Sequence, residues 1–273
     1  MTTVHTFASG SSGNALLLSW TGGRLLVDVG ISCRRVSQNL NALGLGLQDL
    51  GAVLITHTHS DHISGLQTLL KKSTLPIWAT ASAVQDLKNR FPEFDSRFCS
   101  LPVCRKFPFN GCAITAIPTA HDAPGSCGYR FDTAAGSVGL LTDTGCITPE
   151  AETLLPGIHL MILEANHDIE MLKSGSYPYF LKERILGPNG HLSNEESGRF
   201  AAALAKAGAT EIVLAHLSRE NNTPAMAQNA VRLALDAAGV SPVLSVAPRE
   251  ERSAAYAAQF QMRSEQEIKT LKF

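Results

Sequence analysis

Short apolar runs, bounded by glycine, proline and small polar residues, recur along the whole chain and divide it into elements. Residues 14–20, 24–29, 52–55, 77–80, 112–117, 128–131, 138–142, 160–163, 212–215 and 243–246 are mostly four to seven residues long and are predicted as strands. Between them, apolar positions at helical spacing predict helices over 33–45, 62–72, 81–91, 149–155, 194–207 and 224–238. The last two are alanine-rich and stop at Gly208 and Gly239, the residue type that best closes a helix C-terminus. Early strands are joined by turns such as Thr21-Gly22-Gly23, whereas strands and helices alternate further on. The pattern predicts an α/β protein with two sheets and helices outside them. Residues 172–190 carry no clear period and are expected to lie over a site. Residues 251–273 are more charged and are expected to form a tail, as a surface helix or frayed, after a single domain over 1–250.

A chain of 273 residues with 44 % hydrophobic and 17 % charged residues buries a substantial core and suits an ordered globule. The net charge of −1 excludes a strongly basic coat for nucleic acid, although cations bound in a site attract phosphate locally even on a neutral protein. No apolar run approaches the roughly 20 residues that cross a bilayer, and Met1-Thr2-Thr3-Val4-His5 has no signal-peptide character, so no membrane association and a cytoplasmic location are expected. The cysteines at 33, 99, 104, 112, 127 and 146 show neither zinc-ribbon spacing nor the density of a disulfide scaffold, and are expected to be free thiols.

The chemistry is concentrated in Leu54-Ile55-Thr56-His57-Thr58-His59-Ser60-Asp61-His62, where four metal-binding side chains follow a buried strand. Imidazole and carboxylate together suit zinc, manganese and iron. Ile63, Leu66, Leu69 and Leu70 continue at helical spacing behind Asp61, which is expected to cap that helix. A strand-to-helix loop aims all four side chains at one region, which neither a continuous strand nor a continuous helix achieves at this spacing. One loop does not complete two metal shells. Further ligand-type residues stand where strands run into loops: His121 after 114–120, Asp143 after 139–142 and His216 after 212–215.

In these residues the chain resembles the metallo-β-lactamase superfamily, whose HxHxDH signature is matched by His57, His59, Asp61 and His62, and whose later single ligands are matched by His121, Asp143 and His216. The resemblance covers about residues 3–248 and implies an αββα sandwich with two divalent metal ions at one edge. It implies that His57, His59 and His121 hold one ion, that Asp61, His62 and His216 hold the other, and that Asp143 bridges them. Asp28, which ends Leu25-Leu26-Val27-Asp28, matches an acidic motif that supports the metal loop without being a ligand. A finer similarity, to YycJ/WalJ-type exonuclease-like proteins, rests on Phe7-Ala8-Ser9-Gly10-Ser11-Ser12-Gly13-Asn14, Glu164-Ala165-Asn166-His167-Asp168, Gly190-His191-Leu192-Ser193-Asn194 and Ala215-His216-Leu217-Ser218-Arg219-Glu220-Asn221-Asn222.

That resemblance implies a phosphodiester hydrolase acting on DNA, with 5′ to 3′ as the candidate polarity, in which paired cations lower the pKa of a bound water and clamp the attacking and leaving oxygens. Asp61 is then also the expected proton acceptor. His191, in a motif similar to that of ribonuclease Z relatives, is the expected proton donor, oriented by Glu164. Ser11, Ser12 and Asn14 are candidates to hold phosphate oxygens, and Arg219, Asn221 and Asn222 to grip a nucleic-acid backbone. His167 either lines the pocket or hydrogen-bonds a ligand. The competing reading is a small-molecule metallohydrolase, a cyclic phosphodiesterase or a glyoxalase II-like thioesterase, using the same centre.

Overall fold

The computed structural model describes residues 1–258. Strands β1 (Thr2–Ala8), β2 (Ala15–Trp20), β3 (Gly23–Val27), β4 (Ala52–Leu54), β5 (Ile77–Ala79) and β6 (Phe98–Ser100) lie side by side in that order. Strands β7 (Phe107–Phe109), β8 (Cys112–Pro118), β9 (Cys127–Thr133), β10 (Gly136–Leu141), β11 (Leu160–Glu164), β12 (Glu211–Ala215) and β13 (Val243–Val246) form a second sheet, also in sequence order. Strand β14 (Tyr256–Ala258) returns to the first sheet and pairs antiparallel with β1. In each sheet a meander of antiparallel strands gives way to parallel strands joined by helical crossovers.

The sheets face each other across a core that includes Leu16, Leu18, Leu25, Tyr129, Phe131, Leu140 and Ile162. Their outer faces are covered by helices. Alternate residues such as Leu17, Leu26 and Val53 pack with α1 (Cys33–Asn41), which precedes the short α2 (Ser60–Ile63), and with α3 (Leu66–Lys72) and α4 (Ala81–Arg90), which follow it. Met161, Leu163, Ile212 and Leu214 pack with α5 (Pro149–Leu154), α8 (Asn194–Lys206) and α9 (Pro224–Ala237) on the other side. Central strands are therefore buried on both faces, which is why they read as continuous apolar runs. The result is the expected αββα sandwich.

Differences from the sequence reading have local causes. Strand β1 escaped notice because Thr2, Thr3 and Thr6 interrupt its apolar positions, although Thr2 and Thr6 are buried. Strands β6, β7 and β14 are three residues each, too short to show a period. The helix expected over 62–72 is two helices, α2 and α3, broken at Gly65, whose amide donates to the Val29 carbonyl (2.8 Å). Asp61 does not cap: it lies inside the first turn of α2, and the residue before that helix, His59, makes no capping hydrogen bond through its side chain. The unassigned 172–190 stretch contains the end of α6 (Ile169–Ser174) and all of α7 (Tyr179–Leu186). Of the expected tail, Tyr256–Ala258 form a sheet edge instead of a surface helix; 259–273 lie outside the described residues.

Candidate metal centre

The ligand-type residues meet at the ends of the strands. Asp28 follows β3, Asp143 follows β10 and His216 follows β12, and all three adopt left-handed backbone conformations, with φ of 61°, 57° and 55°. Such conformations cost about 1–3 kcal/mol each for a non-glycine residue and persist where surrounding bonds enforce them. The Asp28 amide donates to the Leu54 carbonyl (2.8 Å), and the His216 amide donates to Ser9 Oγ (2.9 Å). The turn at each strand end swings the side chain toward the loop after β4.

That loop is pinned from several sides. Thr58 Oγ1 donates to Asp86 Oδ2 (2.5 Å), and Arg90 donates to the Thr58 carbonyl (2.9 Å), so α4 holds its middle. The Asn14 amide donates to the Asp61 carbonyl (2.8 Å), and the Gly30 amide donates to the Asn14 carbonyl (2.8 Å). A Cβ on Gly30 would overlap the Asp61 carbonyl oxygen, so this close approach of two backbones requires glycine.

Donor atoms of His57, His59 and His121 lie within 4.8 Å of one another, as do those of Asp61, His62 and His216. Asp143 stands between the two groups: its Oδ2 is 3.3 Å from His62 Nε2 and its Oδ1 is 3.9 Å from His121 Nε2. Supporting bonds fix which nitrogen each ring turns inward. Asp28 Oδ2 lies 2.8 Å from His62 Nδ1, Glu164 Oε1 lies 2.8 Å from His216 Nδ1, and the Gly190 carbonyl lies 3.3 Å from His121 Nδ1. The opposite nitrogens face the cluster, where His62 Nε2 lies 3.0 Å from Asn14 Nδ2 and His121 Nε2 lies 3.2 Å from His59 Nδ1, an arrangement in which outer carboxylates orient metal-binding histidines.

Two further observations fit a cation. His57 Nε2, His216 Nε2 and Asp143 Oδ2 are buried with no hydrogen-bond partner, a costly condition that coordination relieves. Every ion-pair partner of Asp28, Asp61, Asp143 and Glu164 among the described residues is a histidine, so no lysine or arginine neutralises these carboxylates. Burial opposes ionisation of Asp143, but His216 and His62 hold its carboxyl well below the ordinary range. Burial likewise acts against Glu164, yet His191 and His216 bring it down to about 2. His57 is pushed well below its ordinary value by burial and by His62, which keeps it neutral, the form in which imidazole binds a metal.

A cavity of about 270 Å³ opens onto this cluster. His191 borders it, with Nδ1 2.9 Å from Glu164 Oε1; burial lowers its pKa, but Glu164 and then Asp143 outweigh that and hold it above the ordinary value. Glu164 thus supports both His191 and His216, and its Oε2 accepts from the backbone amides of Thr144 (3.1 Å) and Leu192 (3.2 Å). The cavity is bounded on another side by Tyr177, Leu181 and Arg184, so the unassigned segment does line the site.

Of the expected phosphate and backbone contacts, only Ser11 borders the cavity; Ser12 is exposed beside it in the chain, outside the cavity wall. Asn14 is buried and serves the scaffold, its Oδ1 accepting from Gly10 (2.9 Å) and its amide reaching Gly10 and Asp61. Asn221 and Asn222 are buried too, and Asn222 Nδ2 donates to the carbonyls of Ala165 (2.9 Å) and Asn166 (3.1 Å), so neither is placed to meet a nucleic-acid backbone. Arg219 is exposed and paired with Glu250. The sequence reading missed Arg184 and Asp122, which pair across 2.6 Å in the cavity wall. Asp122 had a signal in its adjacency to His121; Arg184 had none, because its segment showed no period.

Fold and site together define an αββα metallohydrolase architecture. A family model described as the beta-lactamase superfamily domain matches residues 23–217, and the chain belongs to that superfamily. It is 34 % identical over 235 residues to exodeoxyribonuclease YycJ of Bacillus anthracis, covering 85 % of this chain and 88 % of the relative. It is 36 % identical over 223 residues to exodeoxyribonuclease WalJ of Streptococcus pneumoniae strain D39, covering 81 % and 83 %. Among solved structures, the metallo-β-lactamase fold protein YhfI of Bacillus subtilis superposes with a TM-score of 0.68 at 18 % identity, over 93 % of this chain and all of that one, a likeness of fold.

Proposed function

We propose that the protein is a metal-dependent exodeoxyribonuclease of the cytoplasm. The observation that carries this reading is the complete ligand set, with Asp143 between the triads His57, His59, His121 and Asp61, His62, His216. Those residues would hold two divalent cations, zinc, manganese or iron, which when bound acidify water and offset charge that develops on phosphate. The two bacterial relatives named as exodeoxyribonucleases support DNA as the substrate. The six free cysteines suit a reducing compartment, and no described helix is long and apolar enough to cross a membrane.

The chain's own residues divide the work. Asp61, partly open to the cavity, accepts the proton released by the attacking water. Hydrolysis joins the water oxygen to phosphorus and breaks the bond to the leaving sugar oxygen, which takes a proton from His191. Glu164 keeps that imidazole oriented and favours its charged form before transfer. Arg184 and Ser11, at the cavity wall, are placed to meet phosphate oxygens.

The deciding experiment follows 5′- and 3′-labelled single- and double-stranded DNA with added Mn²⁺ or Zn²⁺, alongside bis(p-nitrophenyl) phosphate and an Asp61→Ala variant. Metal-dependent release of mononucleotides that is lost in Asp61→Ala supports the reading, and the labelled end released first gives polarity. Cleavage of the model diester with DNA left intact under both metals overturns it in favour of a small-molecule phosphodiesterase.

A further inference from the structure

His191 belongs to two cavities. Besides the metal-facing one, it borders a second, of about 340 Å³, whose wall includes His167, Ile169, Leu186, Ser193 and Arg199. His191 therefore borders both the space where a scissile phosphate would sit and a second space with a different lining. We propose that this second cavity is the subsite for the leaving nucleoside, holding the sugar and base whose oxygen departs from phosphorus. The inference rests on the nuclease reading above and adds to it where the departing half of the substrate lies.

Geometry and chemistry both favour that occupant. A general acid must lie within hydrogen-bond reach of the leaving oxygen, so the sugar attached to that oxygen needs room beside the donor. The second cavity, bordered by His191, provides such room. Ile169 and Leu186 provide apolar surface for a base, and Leu186 is 38 % exposed. Glu195 and Glu196 also border the space and outnumber Arg199, so the lining disfavours a phosphate and suits neutral groups rich in hydroxyl and amino donors.

His167 supplies an unspent polar group. Its residue is 1 % exposed, it forms part of this wall, and its Nδ1 has no hydrogen-bond partner. Burial pushes its pKa down to about 4, so the ring is neutral and offers one donor and one acceptor. Its backbone is fixed by the bridge to Ser193, with the Asn194 amide donating to the His167 carbonyl (2.9 Å), which sets the ring's place relative to His191 two residues before that bridge.

The test compares substrates that differ only in the leaving group. Thymidylyl-thymidine presents a sugar and base to the subsite, whereas bis(p-nitrophenyl) phosphate releases p-nitrophenolate, which carries neither and leaves unprotonated. Leu186→Trp fills the cavity from a partly exposed position, and Arg199→Ala alters its edge from an exposed helix face. The expected result is that Leu186→Trp lowers the ratio of kcat/KM for the dinucleotide to that for the model diester at least fivefold, mainly through KM, with a smaller shift in the same direction for Arg199→Ala. A general loss of structure would lower both substrates together and leave the ratio unmoved. An unchanged ratio in both variants, with wild-type protein cleaving DNA, overturns the subsite while the nuclease reading stands. Wild-type protein that cleaves the model diester but no dinucleotide or DNA overturns both.

Discussion

His191 Nδ1 lies 2.9 Å from Glu164 Oε1, although the two residues are separated by 27 positions and come from a loop and the end of β11. The same oxygen lies 2.8 Å from His216 Nδ1, so one carboxylate joins a proposed metal ligand to the expected acid. Glu164→Gln keeps the shape but removes the charge that both imidazoles use. We expect metal affinity to fall about 10- to 100-fold, the usual effect of losing an outer carboxylate, measured by metal titration of the purified variant. Because Glu164 is held near 2, the wild-type enzyme should show no acidic rate limb from this group between pH 4 and 7.

His191→Ala separates chemistry from binding. Cleavage of DNA, whose leaving alkoxide needs a proton, should fall by about 100- to 10,000-fold in kcat. The loss on bis(p-nitrophenyl) phosphate should be smaller by at least tenfold, since p-nitrophenolate leaves unprotonated. Equal losses on the two substrates would show that His191 supports the metal centre without donating a proton.

Metal removal should destabilise the fold as well as abolish activity. Four buried or partly buried carboxylates without lysine or arginine partners surround the site, and a cation at 100 times its Kd contributes about 2.7 kcal/mol to stability. Differential scanning calorimetry with excess EDTA and with excess Zn²⁺ or Mn²⁺ should show Tm rising by about 5–10 °C on metal loading. A Tm indifferent to metal would contradict the proposed site.

Gly30→Ala tests the backbone contact behind the metal loop. The added methyl overlaps the Asp61 carbonyl and has nowhere to move without displacing Asn14. The expected cost is about 1–3 kcal/mol, with bound metal falling in parallel, read from chemical denaturation and metal analysis.

The cysteines give a pH dependence independent of the metals. Burial raises the Cys112 and Cys127 thiols to about 12, while Cys104 is exposed. Native protein treated with iodoacetamide at pH 8 should be alkylated at Cys104 and spared at Cys112 and Cys127, as peptide mass spectrometry would report. The raised values also mean that the unfolded state loses these protons first. Stability from these thiols is therefore full below about pH 9 and declines as pH rises from there toward 12.

Much of this protein was legible one residue at a time. The continuous apolar runs revealed strands buried on both faces, and the spacing of His57, His59, Asp61 and His62 marked out a candidate metal loop, because both signals are local. The positions of His121, Asp143 and His216 at strand ends were visible for the same reason. What the sequence left open depended on which groups meet through space. Asn14 and Asn222 look like surface amides until the fold buries them against backbone carbonyls, and Asn221 until it is buried beside Ser218, to whose hydroxyl its amide donates. Arg184 borders the cavity only because α7 lies along it, and His191 borders two cavities only because the 190–193 loop crosses the end of β11. Local chemistry determined what could bind a metal; the crossing of distant segments, each held by hydrogen bonds that no sequence spacing encodes, decided what surrounds it.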